Sequence, residues 1–206
     1  PEKRKTGILF NKKASVHYEP YGVAGIISPW NYPLILTVTP ISEAILAGNT
    51  VVLKPSEQTS LTVKLLKEVW NQSTKEPDLF QVIYGAGDVG NALVSSDKTD
   101  VICFTGSTQI GQKIAETCAS LLKPVILELG GKDPLIVMKD ANMNRAADAA
   151  IWGGMSNAGQ TCTSVEKIYV DKSKKANFID LLKKRIDKLK TGPNQDDHIG
   201  AITVEN

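Results

Sequence analysis

The sequence predicts an α/β fold in which a parallel sheet is covered by helices on both faces. Short apolar segments of strand length alternate with amphipathic segments of helix length along most of the chain. Strands that are apolar throughout are typical of parallel sheets, because both of their faces are buried. Polar or glycine-rich segments follow several of these strands, at the ends where such sheets bind ligands.

The composition is that of a globular protein without a strong charge bias. The 206 residues are 42% hydrophobic and 22% charged, with a formal net charge of +2. The basic residues form no long block and no apolar run is long enough to span a bilayer, so we expect neither a nucleic-acid partner nor a membrane. Three cysteines without CxxC spacing, two histidines and no signal-peptide pattern predict a cytoplasmic protein without disulfides or a metal site.

The first elements are a hairpin, a strand and a helix. The hairpin is predicted from two strands, Ile8-Leu9-Phe10 and Ser15-Val16-His17-Tyr18, joined by a polar turn. An apolar strand over 22–28 ends at Pro29. A helix then follows over 34–47, which Pro33 opens and Pro40 is expected to kink.

The rest of the chain repeats the alternation of strand and helix. Strands are predicted at 50–53, 80–84, 101–104, 124–127, 135–138 and 168–170, and helices at 60–71, 89–95, 110–121, 142–155 and 174–189. The helix over 60–71 groups Leu61, Leu65 and Val69 on one face. Cys103 and Cys118 lie in apolar settings and are predicted to pack in the core.

The loop that contains Cys162 is a candidate nucleophilic site. It reads Asn157-Ala158-Gly159-Gln160-Thr161-Cys162-Thr163-Ser164 and lies between a predicted helix and a predicted strand. A thiolate held between two rigid elements is suited to nucleophilic catalysis. A lone cysteine is also often a buried structural residue, so this stretch alone leaves both interpretations open.

Lys54 and Glu57 follow the second strand of the predicted sheet. A cation and a carboxylate at this spacing can bind the two hydroxyl groups of a ribose. The carboxylate would repel a 2′-phosphate and so favour NAD over NADP, a preference that Ser56 could soften. A surface Lys–Glu pair that opens a helix is the alternative.

The segment Phe104-Thr105-Gly106-Ser107 joins a strand to a helix. Backbone N–H groups and the helix dipole favour an anion there, and the Ser107 hydroxyl could add a hydrogen bond. Gly106 would let the backbone approach the ligand. The same residues would also form an ordinary helix N-cap, and the stretch is neither a GxGxxG motif nor a P-loop.

Two further residues suit acid–base and oxyanion chemistry. Glu128 ends an apolar strand before Gly130-Gly131, where burial would raise its pKa toward that of a general base and the glycines would let the loop move. Asn31 follows a strand, and its amide could donate to a developing oxyanion. The alternatives are a solvent-exposed glutamate and simple turn chemistry in Trp30-Asn31-Tyr32-Pro33.

Taken together, these segments resemble the aldehyde dehydrogenase superfamily, in the same order and over nearly the whole chain. The matching motifs are Tyr18-Glu19-Pro20-Tyr21-Gly22-Val23, Ser28-Pro29-Trp30-Asn31-Tyr32-Pro33, Ala47-Gly48-Asn49, Leu53-Lys54-Pro55-Ser56-Glu57, Phe104-Thr105-Gly106-Ser107, Leu127-Glu128-Leu129-Gly130-Gly131-Lys132 and Gly159-Gln160-Thr161-Cys162.

The resemblance implies three regions. Residues 21–127 would be a Rossmann-like NAD(P)-binding domain, and residues 128–206 the beginning of a second, catalytic α/β domain. Residues 1–20 would be an N-terminal arm and part of the hairpin that joins subunits in the family, which implies a homo-oligomer. The family's chains are longer and carry a later Glu-x-Phe-Gly motif that this sequence lacks. We therefore expect a central fragment without the N-terminal portion and the C-terminal half.

The resemblance also implies oxidation of an aldehyde to a carboxylic acid. Cys162 would add to the aldehyde, and Asn31 with the backbone N–H of Cys162 would hold the oxyanion of the thiohemiacetal. Hydride transfer to the nicotinamide would leave a thioester, which water activated by Glu128 would open. This order of steps agrees with the chemistry of a soft nucleophile followed by general-base catalysis.

The cofactor implied is NAD, with NADP as the alternative. Lys54 and Glu57 would bind the adenosine ribose, Ser107 the pyrophosphate, and the Leu129 backbone the carboxamide. The complete set of implied cofactor-binding residues is Ser28, Pro29, Trp30, Lys54, Ser56, Glu57, Gly87, Thr105, Gly106, Ser107, Leu129 and Gly130.

Two other functions stay open at the level of sequence. The chain could be an inactive fragment that only binds a nucleotide or associates with other chains. It could also be a thiol hydrolase or acyltransferase that uses Cys162, although such an enzyme would need a histidine base near the thiol. No histidine lies in any of the loops named above.

Overall fold

The computed structural model describes residues 1–8 and 10–204. The chain divides into two compact units. The first unit comprises residues 1–29, 33–105 and 112–127, and the second comprises residues 30–32, 106–111 and those from 128 onward. Each unit has a hydrophobic core of its own.

The chain begins with a hairpin whose first strand differs from the predicted one. Strand β1 (Glu2–Arg4) pairs antiparallel with β2 (Ala14–Val16). The predicted strand over 8–10 is wrong for Ile8 and Phe10, which lie in a turn with side chains 92% and 93% exposed, while Leu9 lies outside the described residues. Apolar residues predicted a strand here, but the side chains of Ile8 and Phe10 pack against no core in the part of the chain that the structure describes.

A five-stranded sheet forms the centre of the first unit. Its strands are β3 (Val23–Ile27), β4 (Thr50–Lys54), β5 (Phe80–Val82), β6 (Val101–Thr105) and β7 (Val125–Glu128), in the spatial order β5-β4-β3-β6-β7. The pairs β5–β4, β4–β3 and β3–β6 are parallel, which confirms the predicted α/β class. In this register Ile27 is opposite both Lys54 and Phe104, so the carboxyl ends of three strands are aligned.

Four helices connect these strands. They are α1 (Ile35–Leu46), α2 (Ser60–Ser73), α3 (Gly87–Ser95) and α4 (Thr108–Ser120). Helix α1 continues through Pro40 without a break. The core of the unit consists of Ala24, Ile26, Ile41, Val51, Leu53, Val63, Phe80 and Val101.

Helix α2 has two apolar stripes, and the one that packs on the core is not the one visible in the sequence pattern. Leu61 and Leu65 are 78% and 62% exposed, whereas Val63 is buried and Trp70 packs against the core. The Trp70 indole N–H donates to the Pro77 carbonyl oxygen at 3.3 Å, and the indole and Phe80 rings pack edge to face. These long-range contacts select the inward face, which periodicity alone cannot do.

Replacing Phe80 with alanine is expected to destabilise this polypeptide by about 3–5 kcal/mol, because the change leaves a cavity in a close-packed core. Phe80 is 1% exposed and is among the largest fully buried side chains. Chemical denaturation would measure the loss in free energy of unfolding. Phe10→Ala is the matched control, since Phe10 is exposed and should change stability little; equal effects of the two substitutions would contradict the core assignment.

The second unit contains a separate two-stranded sheet covered by helices. Strand β8 (Asp133–Val137) pairs parallel with β9 (Val165–Val170), and α5 (Met143–Met155) connects them. Helix α6 (Lys175–Ile186) follows β9 and contributes Phe178 to the core, together with Val137, Met143, Ala147 and Ala150. Among residues 1–8 and 10–204, no helix combines the length and apolar character that crossing a membrane requires.

Candidate active site

The Cys162 loop begins with an uncommon backbone conformation. A 3-10 turn over Ser156–Gly159 follows α5, and Asn157, Ala158 and Gly159 have φ values of 52°, 58° and 78°. Asparagine and glycine tolerate this left-handed region, whereas alanine is disfavoured there by roughly 1–2 kcal/mol. Surrounding contacts must therefore hold the turn in place.

Hydrogen bonds within the loop supply these contacts. The side-chain amide and the backbone N–H of Gln160 both donate to the Asn157 carbonyl oxygen, at 2.9 and 3.1 Å. The hydroxyl of Ser164, which is buried, donates to the carbonyl oxygen of Gly153 on α5 at 3.2 Å. The segment on either side of Cys162 is thus anchored, while Cys162 itself is exposed.

Asn31 is bonded to this same loop within the second unit. Its side-chain N–H donates to the Gln160 carbonyl oxygen at 2.8 Å, two residues before Cys162. The hydroxyls of the neighbouring Tyr32 and of Thr161 are 2.8 Å apart. The structure therefore brings two of the three predicted catalytic residues into one connected loop assembly.

The third predicted catalytic residue, Glu128, is not buried as expected. It is exposed at the end of β7, the edge strand of the sheet, where no further described strand covers it. Its carbonyl oxygen accepts a hydrogen bond from the Gly106 backbone N–H at 3.0 Å. Within the described chain its carboxylate has no hydrogen-bond or ion-pair partner, so no such bond joins it to the Cys162 thiol.

The loop that follows Glu128 nevertheless reaches the cysteine loop. A Cβ atom placed on Gly131 would lie 3.3 Å from the Cys162 carbonyl oxygen. On the other side, a Cβ atom on Gly111 of α4 would lie only 2.5 Å from Leu129 Cδ2, so the leucine side chain occupies the space that this glycine leaves. Both ends of the Leu129–Gly131 segment are therefore packed within the second unit.

The other two thiols occupy different environments from Cys162. Cys118 is fully buried, as predicted, and its burial raises the pKa of its thiol. Cys103 is half-buried and packs against the core of the first unit, which also agrees with the prediction. Of the three thiols, only that of Cys162 is exposed, and an accessible thiol is what a nucleophile requires.

Lys54 and Glu57 form an ion pair at the carboxyl end of β4. The Lys54 Nζ is 3.0 Å from Glu57 Oε2. Lys54 is only 6% exposed whereas the Glu57 side chain is 52% exposed, so the pair joins a buried cation to a carboxylate at the surface. A backbone hydrogen bond at Glu57 and, next, the Lys54 ammonium group lower the pKa of the Glu57 carboxyl. The carboxylate is therefore a ready hydrogen-bond acceptor at neutral pH.

Other predicted cofactor residues also belong to the first unit. Ser28 is buried; its Oγ accepts a hydrogen bond from Thr37 at 2.8 Å and its N–H donates to the Lys54 carbonyl oxygen, so its hydroxyl hydrogen stays available to a ligand. Ser56 Oγ accepts from the Gln58 backbone N–H and caps the turn that carries Glu57. At Gly87, the first residue of α3, the space that a Cβ would take is open.

In the second unit, Ser107 makes the helix cap that was the alternative to anion binding. Its Oγ accepts from the Ile110 backbone N–H at 3.4 Å, a long bond that leaves the hydroxyl hydrogen available. Of the remaining predicted cofactor residues in either unit, Pro29, Trp30, Thr105 and Gly106 are half-buried and Gly130 is exposed. In the first unit, the Glu57 carboxylate paired with the buried Lys54 ammonium group fits the hydroxyl groups of a ribose-containing cofactor.

Sequence reasoning assigned no role to Asn157 or Gln160, although their side chains organise the loop. Asn157 donates to the Asn31 carbonyl oxygen at 2.8 Å, and Gln160 Oε1 accepts from the Thr203 backbone N–H at 2.7 Å. The sequence did contain one indication of the turn: Asn157 stands two residues before Gly159, and both residue types favour left-handed backbone conformations. The partners of these side chains lie up to 126 positions away and could not be read from the pattern.

The parallel sheet and the anchored cysteine loop define an α/β protein with a candidate thiol site. The chain belongs to the aldehyde dehydrogenase family, whose sequence model matches residues 3–206. This confirms the resemblance found in the sequence. The 4,4'-diapolycopene aldehyde oxidase of Methylomonas sp is 40% identical over 190 residues, which cover 92% of this chain and 36% of that protein.

Solved structures agree with this assignment. An NAD-dependent aldehyde dehydrogenase from Sinorhizobium meliloti has a TM-score of 0.88 and 40% identity, over 91% of this chain and 38% of that one. A 3,6-anhydro-L-galactose dehydrogenase in complex with NAP has a TM-score of 0.91 and 33% identity, over 99% of this chain and 43% of that one. The chain therefore spans less than half the length of the relatives it matches.

Proposed function

We propose that this chain supplies the nucleophile and most of the cofactor-binding groups of an NAD(P)-dependent aldehyde dehydrogenase, which oxidises an aldehyde to a carboxylic acid. The observation that carries the proposal is the hydrogen bond from Asn31 to Gln160, because it places an amide donor beside the backbone that leads to the exposed Cys162. Membership of the family supports the same reaction class.

The first step is addition of the Cys162 thiolate to the aldehyde carbonyl carbon. A C–S bond forms and the carbonyl oxygen becomes an oxyanion. Asn31 Nδ2 carries two hydrogens, of which one is used by Gln160, so the second can donate to this oxyanion together with the Cys162 backbone N–H. A single donor of this kind typically contributes a factor of about 10²–10³ to the rate.

Two further steps follow: transfer of a hydride from the substrate carbon, and hydrolysis of the thioester that releases the product. The nicotinamide, when bound, supplies the acceptor for the hydride that leaves the substrate carbon, and the acyl group stays on Cys162 as a thioester. Glu128 then takes a proton from a water molecule that adds to the thioester carbonyl, after which the C–S bond breaks and the thiolate is restored. The exposure of Glu128 gives it access to water, which a base in hydrolysis needs.

We assign the cofactor groups separately in each unit. In the first unit Lys54 and Glu57 would bind the adenosine ribose, with Ser28, Pro29, Ser56, Gly87 and Thr105 completing the set. In the second unit Ser107 would bind the pyrophosphate and the Leu129 backbone the carboxamide, with Trp30, Gly106 and Gly130. The ion pair at Lys54 and the packing of Leu129 on Gly111 support these roles.

The same proposal extends to the domains and the assembly. Residues 21–127 would form the NAD(P)-binding domain, and residues 128–206 the beginning of the catalytic domain. Residues 1–20 would take part in a homo-oligomer of the full-length protein. The antiparallel β1–β2 hairpin supports this last role, because its two short strands pair only with each other within the described chain.

A second candidate function concerns this polypeptide by itself, which would bind a nucleotide or associate with other chains without catalysis. The short coverage of the relatives favours this candidate. The discriminating experiment measures cofactor reduction across a panel of aldehydes, with the full-length protein and the 206-residue polypeptide side by side. Turnover only by the full-length protein would assign catalysis to the larger protein, whereas turnover by neither would reject the dehydrogenase proposal.

Glu57→Ala in the full-length protein is expected to lower the preference for NAD over NADP by roughly tenfold, the change that about 1.4 kcal/mol produces. The carboxylate accepts from ribose hydroxyls and repels a 2′-phosphate, so its removal weakens NAD and favours NADP. The ratio of kcat/KM for the two cofactors measures the effect. Glu43→Ala on α1 is the matched control because Glu43 is exposed, and an unchanged ratio in Glu57→Ala would reject the ribose assignment.

A further inference from the structure

We propose that Asn157 is a positioning residue that holds Asn31 in the orientation needed to stabilise the oxyanion. This inference rests on the proposed function and extends it to a residue that touches neither the substrate nor the cofactor. It is carried by one juxtaposition: the Asn157 amide lies between the backbone of Asn31 and the carbonyl oxygen to which the Asn31 side chain donates.

The contacts of Asn157 involve both partners of the Asn31–Gln160 hydrogen bond. Its Nδ2 donates to the Asn31 carbonyl oxygen at 2.8 Å and lies 3.4 Å from the Gln160 carbonyl oxygen. That second oxygen also accepts from Asn31 Nδ2 at 2.8 Å. One side chain therefore ties the main chain of Asn31 to the acceptor that orients the Asn31 amide.

Asn31 needs this support because its own amide is held at only one end. Its Oδ1 is buried and, among the described residues, has no hydrogen-bond partner. The bond to the Gln160 carbonyl oxygen is thus what decides which way the amide faces. If the Asn31 amide rotated by 180°, its Oδ1 would face the Gln160 carbonyl oxygen. Two hydrogen-bond acceptors would then meet with no hydrogen between them. A displacement of the Gln160 carbonyl would release the amide from its orientation.

The conformation of the turn makes such a displacement possible. Asn157 and Ala158 both have positive φ, and the alanine pays a steric penalty that the loop's hydrogen bonds must offset. The Asn157 amide, the Gln160 amide and, at a longer 3.5 Å, the Thr161 hydroxyl all bond across this turn. Without the Asn157 amide, the turn can relax and carry the Gln160 carbonyl away from Asn31.

The test compares Asn157→Gly with Ala158→Gly in the full-length protein. Glycine at 157 keeps access to positive φ but removes the amide, whereas glycine at 158 relieves strain without removing a hydrogen bond. We expect kcat/KM for the aldehyde to fall by tenfold or more in Asn157→Gly and to stay within twofold in Ala158→Gly. The KM for the cofactor should not change in either. Asn157→Asp, which keeps the left-handed preference but has no N–H, should reproduce the loss and covers the case in which the glycine variant does not fold.

A double-mutant cycle separates positioning from a general loss of structure. If Asn157 acts through Asn31, the double variant Asn31→Ala with Asn157→Gly should be no slower than Asn31→Ala alone. The proposal would be overturned if the loss of kcat/KM in the double variant equalled the product of the two single losses. A wild-type kcat/KM in Asn157→Asp would also overturn it. Cys162→Ala is assayed in parallel: activity in that variant refutes the proposed function itself, whereas its loss alongside an active Asn157→Asp refutes only the positioning role.

Discussion

Cys162→Ala in the full-length protein is expected to reduce aldehyde oxidation by at least about a thousandfold, because removal of a catalytic nucleophile leaves only binding and electrostatic contributions. No other exposed thiol is available within the described chain to replace it, since Cys118 is buried and Cys103 is half-buried. The initial rate of cofactor reduction at saturating aldehyde would show the loss. The variant should still bind the cofactor, which a fluorescence titration would measure.

Thr163→Ala is the control for this substitution. Thr163 is the exposed neighbour of Cys162, and among the residues that the structure describes its side chain has no hydrogen-bond partner, so Thr163→Ala tests whether any change in this loop abolishes activity. We expect its activity to stay within about threefold of the wild type, because surface substitutions of this kind usually change the free energy of unfolding by only about 0.5 kcal/mol or less. Substantial turnover by Cys162→Ala would remove the thiohemiacetal and thioester from the mechanism.

Glu128→Gln is expected to slow steady-state turnover by about 10²–10⁴-fold, the range over which general-base catalysis contributes. The amide keeps the size of the side chain but cannot take a proton from water. Acylation of Cys162 does not need this base, so the first turnover should still produce a rapid burst of reduced cofactor. Stopped-flow measurement of burst and steady-state phases separates the two steps.

Glu116→Gln on α4 is a suitable control for Glu128→Gln. Glu116 is also exposed, and a glutamine there removes the same charge without touching the strand end at Glu128. Its burst and steady-state rates should match those of the wild type. A steady-state rate in Glu128→Gln that equals the wild-type rate would assign water activation to another group.

The fold was predictable because it depends on patterns that are local in sequence. Apolar strands alternating with helices were sufficient to predict the parallel sheet, and the observed bounds differ mainly at element ends. The errors came where tertiary contacts decide between local alternatives. The packing of Trp70 on Phe80 turns α2 so that Leu61 faces solvent, and Ile8 and Phe10 lie in a turn instead of a strand.

The candidate site was predictable in its residue types and less so in its environment. Lys54 and Glu57 form the Lys–Glu pair that the sequence offered as the alternative to ribose binding, and the joint role of Asn31 and Cys162 was implied by the family resemblance. The burial of Glu128 was wrong because β7 is an edge strand, a property of sheet order that a single strand does not reveal. Asn157 was overlooked because its amide recognises a main-chain oxygen, which has no signature in the sequence.

The segment between Glu128 and Lys132 contains two consecutive glycines in different surroundings. Leu129 fills the space beside Gly111, and Gly131 lies against the carbonyl of Cys162, whereas a methyl group on Gly130 would meet nothing within 4 Å. The two consecutive glycines are therefore not equivalent. A side chain can be added at position 130 without a clash, whereas one at position 131 would meet Asp133 Oδ1 at 2.8 Å and the Cys162 carbonyl oxygen at 3.3 Å. Position 130 is therefore where this loop can be altered with the least disturbance of the backbone at Cys162.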